Sequence, residues 1–239
     1  MTSAASDRRA ALASNLAALR ARVATACDRA GRDVTEITVI AVTKTWPASD
    51  VRLLAGLGVT DIGENRDQEA APKAAACADL TLTWHFVGQL QTNKCRSVVH
   101  YADVIHSVDR PHLVRVLARE ARRARRVITC LVQVSLDDHV ESAQRAGVAA
   151  GEVVALAAQV AAQDGLRLGG VMAVAPLGGS ASDAFRRLAE VADEVQAAHK
   201  DASMISAGMT GDLEEAIEAG ATHLRVGTAL LGARRAFVR

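Results

Sequence analysis

The chain has 239 residues, half of them hydrophobic, with 28 basic and 27 acidic residues and a formal charge of +1. That is enough apolar material for one sizeable core, and a charge so near zero gives no electrostatic footprint for nucleic acid or a membrane surface. Cys27, Cys77, Cys95 and Cys130 lack a C-x-x-C spacing, no run approaches the ~18 apolar residues of a spanning helix, and no signal-type apolar run follows Met1, so no disulfide framework, zinc site or membrane span is expected and the protein reads as cytoplasmic.

Leu12, Leu16, Leu19 and Val23, three and four apart, predict an amphipathic helix over residues 1–31 that stops at Gly31. A β/α rhythm follows. Strands are expected at 37–42, 59–62, 80–87, 103–106, 127–134, 168–174, 204–205 and 222–226. Helices are expected at 48–57, 65–77, 92–99, 111–125, 147–163, 182–199 and 211–219, with a short helical piece at the end. Thr92 is read as a helix cap. Eight strands alternating with helices, with no linker between them, point to an α/β fold and one domain over 1–239, a single (β/α)8 TIM barrel with an extra N-terminal helix packed on it. An open doubly wound sheet is the competing architecture.

Chemistry in such a barrel belongs to the C-terminal ends of the strands. Lys44 follows Thr38-Val-Ile-Ala-Val42 directly, so it should lie at the mouth. Partial burial there would lower its pKa and leave an amine able to form a Schiff base with an aldehyde. The plainer reading is a solvated lysine at a strand end. Ser206-Ala-Gly208-Met209-Thr210-Gly211 precedes a helix, and its amides could receive an anion, with Gly208 allowing close backbone approach. Alternatively Thr210 caps the helix and Gly208 turns the chain. Gly227 and Thr228 end the last strand, where this fold often binds phosphate. Arg225 shares a face with Gly227 by alternation, and that face looks inward. A buried arginine needs a partner: a ring nitrogen, a carboxylate or a phosphate. His85 is either a ring-side contact or a hydrogen-bonded core histidine.

Several short pieces in order carry a resemblance. They are Ala41-Val-Thr-Lys44; Gly63-Glu-Asn65 with Gln68-Glu69; Trp84-His-Phe-Val-Gly88 with Leu90-Gln-Thr-Asn-Lys94; Val132-Gln-Val-Ser135; Gly170-Val-Met172; Ser206-Ala-Gly208-Met209-Thr210; and Arg225-Val-Gly227-Thr228 with Gly232-Ala-Arg234. Through them nearly the whole chain resembles the pyridoxal phosphate homeostasis protein family. The resemblance implies a fold similar to the barrel domain of alanine racemase, the fold type III arrangement. It implies pyridoxal 5′-phosphate (PLP) bound covalently on Lys44, with Ser206, Gly208, Thr210, Gly227 and Thr228 around the phosphate. It further implies Asn65 and Met172 beside the ring and Arg225 facing the pyridine nitrogen. The implied function is intracellular PLP homeostasis, supplying or buffering vitamin B6 cofactor for apo-enzymes as a monomer, with no established reaction. The sequence departs from the family at Glu141-Ser-Ala-Gln-Arg145-Ala-Gly147, where many members carry Ser-Lys-x-Gly, and the preceding Asp137-Asp138-His139 loop differs as well.

The alternative is a PLP-dependent amino-acid racemase or related enzyme. Alanine racemase uses its cofactor lysine and a tyrosine from a neighbouring subunit's second domain. This chain is read as lacking such a domain, and its only tyrosine, Tyr101, precedes the fourth strand and should lie at the opposite rim. A third reading takes Arg115, Arg119, Arg122, Arg123, Arg125 and Arg126 as a nucleic-acid stripe. The simpler reading is a solvated helix face with Leu113, Val116 and Leu117 turned inward.

Overall fold

The computed structural model describes residues 3–136, 147–176 and 178–233; Asp137-Asp138-His139, residues 141–146 and Arg234 lie outside them. Helix α1 (Ser3–Ala30) leads into β1 (Thr38–Val42), α2 (Ala48–Ala55), β2 (Asp61–Glu64), α3 (Asp67–Ala76), β3 (Thr83–Phe86), α4 (Cys95–Tyr101) and β4 (Val104–Val108). The second half runs α5 (Pro111–Ala124), β5 (Ile128–Gln133), α6 (Val153–Ala161), β6 (Leu166–Met172), α7 (Ala181–Ala198), β7 (Met204–Ser206), α8 (Leu213–Glu218), β8 (His223–Val226) and α9 (Thr228–Leu231). The strands close in sequence order into one parallel barrel, β8 pairing back to β1 with Ile40 beside Arg225. The open-sheet alternative is therefore excluded.

Alternation sorts the strand residues into two environments. Ala41, Ile62, Trp84, Phe86, Ile105, Cys130 and Val132 join the apolar layer under the helices. Val104, Leu131 and Met172 form a separate small cluster within the barrel. Gly170, at φ 142°, lets β6 and β7 approach so closely that a Cβ there would stand 2.0 Å from Met204 O. All four cysteines are buried free thiols.

Helix α1 buries Leu12, Leu16, Leu19, Val23, Ala26 and Cys27. Its polar contacts reach the far end of the chain. Asn15 Nδ2 donates to Leu230 O (3.0 Å) and Arg22 forms two 2.9 Å hydrogen bonds with Glu214; just beyond the helix, Arg32 Nη1 donates to Ile217 O and Ala221 O. No helix among the described residues is long and apolar enough to cross a membrane.

Some boundaries differ from the sequence reading for local reasons. Val59 does not begin β2: its N–H returns to Leu54 O (3.0 Å) behind left-handed Gly58, closing α2. Thr92 starts a 3-10 turn, and α4 begins after it with no side-chain cap. Helix α8 begins only at Leu213, because Asp212 Oδ1 accepts from Met209 N (2.6 Å) and holds the preceding residues in a turn. On α5, Leu113, Val114 and Leu117 are buried. Arg119 and Arg123 pair with buried Glu120, while Arg126 binds Asp103 and the carbonyls of Val99 and Ala102. Three of the arginines in the nucleic-acid reading are thus engaged in local structure.

Gly170→Ala should cost about 3 kcal/mol or more, combining overpacking against backbone with left-handed strain. Urea unfolding measures this, and an unchanged midpoint would contradict the close contact of β6 and β7.

Candidate functional site

Lys44 sits just past β1, half-buried, in a turn closed by Trp46 N donating to Thr43 O (3.0 Å). The next residue, Thr45, takes φ 68°, a conformation that costs a non-glycine residue about 1 kcal/mol or more. Helix α3 grips this turn on both sides. Glu69 Oε2 accepts from Thr45 N (2.9 Å), and Lys73 Nζ donates to Thr43 O (2.8 Å). Glu69 and Lys73 are four apart, so one helix face presents an acceptor and a donor to the two peptides flanking Lys44. From α1, Arg8 stacks over Trp46 at 4.4 Å and pairs with Asp50.

Lys73 also binds Glu64, with its side chain 7% exposed and that of Glu64 at 0%. Thr43 Oγ1 donates to the same carboxylate (2.6 Å), and Glu64 Oε2 is buried without a hydrogen-bond partner. Burial pushes the Glu64 carboxyl up, against the opposing pull of Lys73 and Thr43. Tyr101 lies outside the barrel, packed on the helix-side core, its phenol pushed up by burial and by the nearby Asp67 and Glu64 charges. The expectation of the opposite rim is thereby corrected: the phenol stands near the end of β2 and the start of α3, on the helix side of the barrel wall. Ser97 Oγ donates to Asp67 (2.7 Å) and Lys94 approaches it at 3.9 Å, which ties the turn before α4 to the start of α3.

Inside the barrel, Arg225 is 5% exposed. Nη1 donates to Ser206 Oγ (2.7 Å) and Nη2 to Ala173 O (2.8 Å), both neutral acceptors. Among the described residues no carboxylate pairs with it. Burial pushes the guanidinium down to about 10, so it stays charged at neutral pH. Beyond Ser206 the polar contacts continue: His106 Nδ1 is 2.9 Å from Ser206 Oγ, His106 Nε2 is 2.9 Å from His85 Nδ1, and His85 Nε2 is 3.0 Å from Asp61 Oδ1. His85 is thus a hydrogen-bonded interior histidine. Burial, then the His85 and Arg225 charges, holds His106 well below the usual imidazole range.

The loops after β7 and β8 converge. Arg225 N donates to Gly208 O (2.9 Å), and Ala229 N donates to Thr210 Oγ1 (3.3 Å). Thr210 therefore braces α9 and does not cap α8. Gly208, at φ 84°, faces Ala216 and Leu224, where a Cβ would stand 2.6 Å from the Ala216 methyl. Its lack of a side chain serves helix packing, and the Met209 amide is taken by Asp212. Gly227 is half-buried and Thr228 exposed at the rim. Met172 is buried in the barrel interior cluster. Asn65 leaves β2 with its Oδ1 buried and without a partner, and Gly88 lies so near that a Cβ would be 2.2 Å from Asn65 O.

A charged donor group with only neutral acceptors and a lysine turn held from α3 at the barrel mouth fit an anionic ligand with lone pairs to receive hydrogen bonds, while the orphaned Asn65 oxygen calls for a donor. Sequence reasoning named Glu69 only within a motif of the resemblance and gave no role to Glu69, Lys73 or Asp61. The four-residue spacing of Glu69 and Lys73 was the available signal for the first two.

Residues 14–235 match the family model for the alanine racemase N-terminal domain. The pyridoxal phosphate homeostasis protein of Mycobacterium tuberculosis is 42% identical, over 96% of this chain and 95% of its own. That of Escherichia coli is 36% identical, over 93% and 97%. The solved structure of PipY from Synechococcus elongatus with PLP bound superposes with a TM-score of 0.80 at 34% identity, covering 92% of this chain and 100% of PipY.

Two outcomes follow from the packing. Lys73→Met leaves Glu64 buried without its cation and should cost about 3–5 kcal/mol, while adding Glu64→Gln should recover part of it; a urea double-mutant cycle reads this. His223 is held down to about 4, from 6.5, by burial and by His85. The unfolded chain then takes up protons first on acidification, so stability is full above about 6.5 and falls towards pH 4, by on the order of 3 kcal/mol from this residue. His106 acts in the same direction. Urea unfolding at pH 7 and pH 4.5 should show a shallower loss for His223→Gln, and an equal loss would contradict the assignment.

Proposed function

The chain belongs to the pyridoxal phosphate homeostasis protein family, and from that premise we propose that it binds PLP at the barrel mouth, joined to the Lys44 amine, and buffers or supplies this cofactor in the cell. The observation that carries the reading is Arg225: a buried charged donor, beside β1, whose protein partners are neutral acceptors only. When bound, PLP brings an aldehyde that exchanges between amines and a ring whose electron demand depends on what meets its nitrogen. The chain does the rest. Lys44 holds the aldehyde carbon, and the α3 clamp fixes the direction from which its amine enters the mouth. Asn65 and Met172 line the ring. Ser206, Gly208, Thr210, Gly227 and Thr228 form the β7–β8 rim around the phosphate.

Arg225 would face the pyridine nitrogen of a bound PLP and would leave it unprotonated. A ring so held is a weak electron sink, which favours holding and releasing the cofactor over turning substrates over. Tyr101, packed outside the barrel, is in no position to serve as a second base, so the family role is preferred to racemisation. The protein acts as a cytoplasmic monomer whose recipients are apo-enzymes that require PLP.

Incubation with PLP followed by desalting should leave an absorption band and a borohydride-fixed adduct at Lys44 in the wild type, and neither in Lys44→Ala. Loss of all cofactor from both proteins would overturn the Lys44 assignment. Interconversion of D- and L-alanine should be negligible; appreciable turnover abolished by Lys44→Ala would establish the racemase instead.

A further inference from the structure

The interior of a β/α barrel is ordinarily filled by branched apolar side chains. Here a line of polar groups crosses it, from Asp61 on β2 through His85 on β3 and His106 on β4 to Ser206 on β7 and Arg225 on β8. His85 is 2% exposed, and His106 and Ser206 are fully buried. The Asp61 side chain is 23% exposed and opens the line to solvent at the start of β2, the end of the barrel away from Lys44.

The direction of each bond follows from what the ends can do. A guanidinium only donates, so Ser206 Oγ accepts from Arg225. At the other end Asp61 is partly buried, which alone would raise its pKa, but the hydrogen bonds it accepts from His85 and Thr60 act against this and it is lowered. Asp61 is therefore a carboxylate that only accepts, and His85 Nε2 must carry hydrogen. With both histidines neutral, His85 Nδ1 is a lone pair. His106 then donates from Nε2 and accepts at Nδ1, and the one hydrogen left for that last contact is the Ser206 hydroxyl proton. All the donors from Ser206 onward point towards Asp61.

We propose that Asp61, His85 and His106 are positioning residues for the cofactor pocket. By drawing the Ser206 proton away from the pocket they leave its oxygen as a committed acceptor, which fixes one arm of the Arg225 guanidinium. Ala173 O fixes the other. Ser206 then meets Arg225 through its oxygen, and its hydroxyl proton is not given to the phosphate it stands beside. The charged and titratable groups facing the line are Asp61, His223, Arg225 and, near Arg225, Asp212. If His85 instead took up a second proton, the whole line would reverse: His106 would donate from Nδ1 and the Ser206 hydroxyl would be released towards the phosphate. The inference rests on the reading that this pocket takes PLP, but the hydrogen placement is measurable without it.

The test is 15N NMR of the histidine rings at neutral pH, in the protein before and after incubation with PLP. Both His85 and His106 should be neutral with hydrogen on Nε2. Asp61→Leu, far from the pocket, should mix the His106 tautomers and weaken PLP retention about tenfold. Asp61→Asn keeps an acceptor oxygen and should restore both. Hydrogen on His106 Nδ1 in the wild type would overturn the proposal, as would an Asp61→Leu protein with unchanged His106 resonances. Wild-type histidine resonances as expected, with no PLP retained by any variant, would remove the cofactor reading and with it the proposed role in the pocket, leaving only the order of the protons.

Discussion

A full positive charge inside a closed sheet is the constraint that shapes the centre of this molecule. Taking a guanidinium out of water is costly unless its donors are met and its charge is answered. Arg225 meets Ser206 and the Ala173 carbonyl. Each polar neighbour then carries the same demand onward, since a buried hydroxyl proton needs an acceptor and a buried imidazole has two nitrogens to satisfy. Demand passes through His106 and His85 and ends where Asp61 touches solvent. What remains is a buried charge whose hydrogen bonds go to neutral acceptors, which suits the anionic ligand proposed for this pocket.

The mouth is held from two directions by unlike means. From inside, Arg225 is located by short contacts to the adjacent strand β7 and to the residue that follows β6. From outside, α3 fixes the Lys44 turn through its backbone, using Glu69 on one peptide and Lys73 on the other. Lys73 is itself held by a carboxylate with almost no access to water. Such a pair is weak support for net stability, because desolvation offsets most of the attraction, yet it is sensitive to losing one member. Its value here is geometric: a reactive side chain set on a rigid base loses less freedom on engaging a ligand.

Much of this was legible in the sequence, and the parts that were not share a cause. The β/α rhythm, the inward face of Arg225 and the place of Lys44 depend on local periodicity, which one chain displays plainly. The β2 boundary failed because Val59 has strand composition but is claimed by the capping turn of α2. Thr92 was read as a cap and Thr210 as either a cap or part of an anion cradle, from residue type, while one starts a 3-10 turn and the other braces α9. The polar line through the barrel joins residues as far apart as His106 and Ser206, 100 positions away in sequence. No spacing rule finds such a contact. The ligand identity came from motif resemblance, since Arg225 alone asks for an acceptor and does not say which.

The contacts of α1 bear on how the chain comes together in time. The helix at the start of the sequence is bound to the last β/α unit, with Asn15 reaching Leu230 across 215 positions and Arg8 reaching Leu231 across 223. Such contacts close very large loops, whose entropy must be given up before they contribute, and they are a feature of slow-folding topologies. On the ribosome α1 emerges before β8 and must therefore keep its apolar stripe without its native partner until that strand is made. The same latch joins the two ends of the ring of strands, so an interval exists in synthesis when every strand but the last is present and the barrel is still an open sheet with two bare edges.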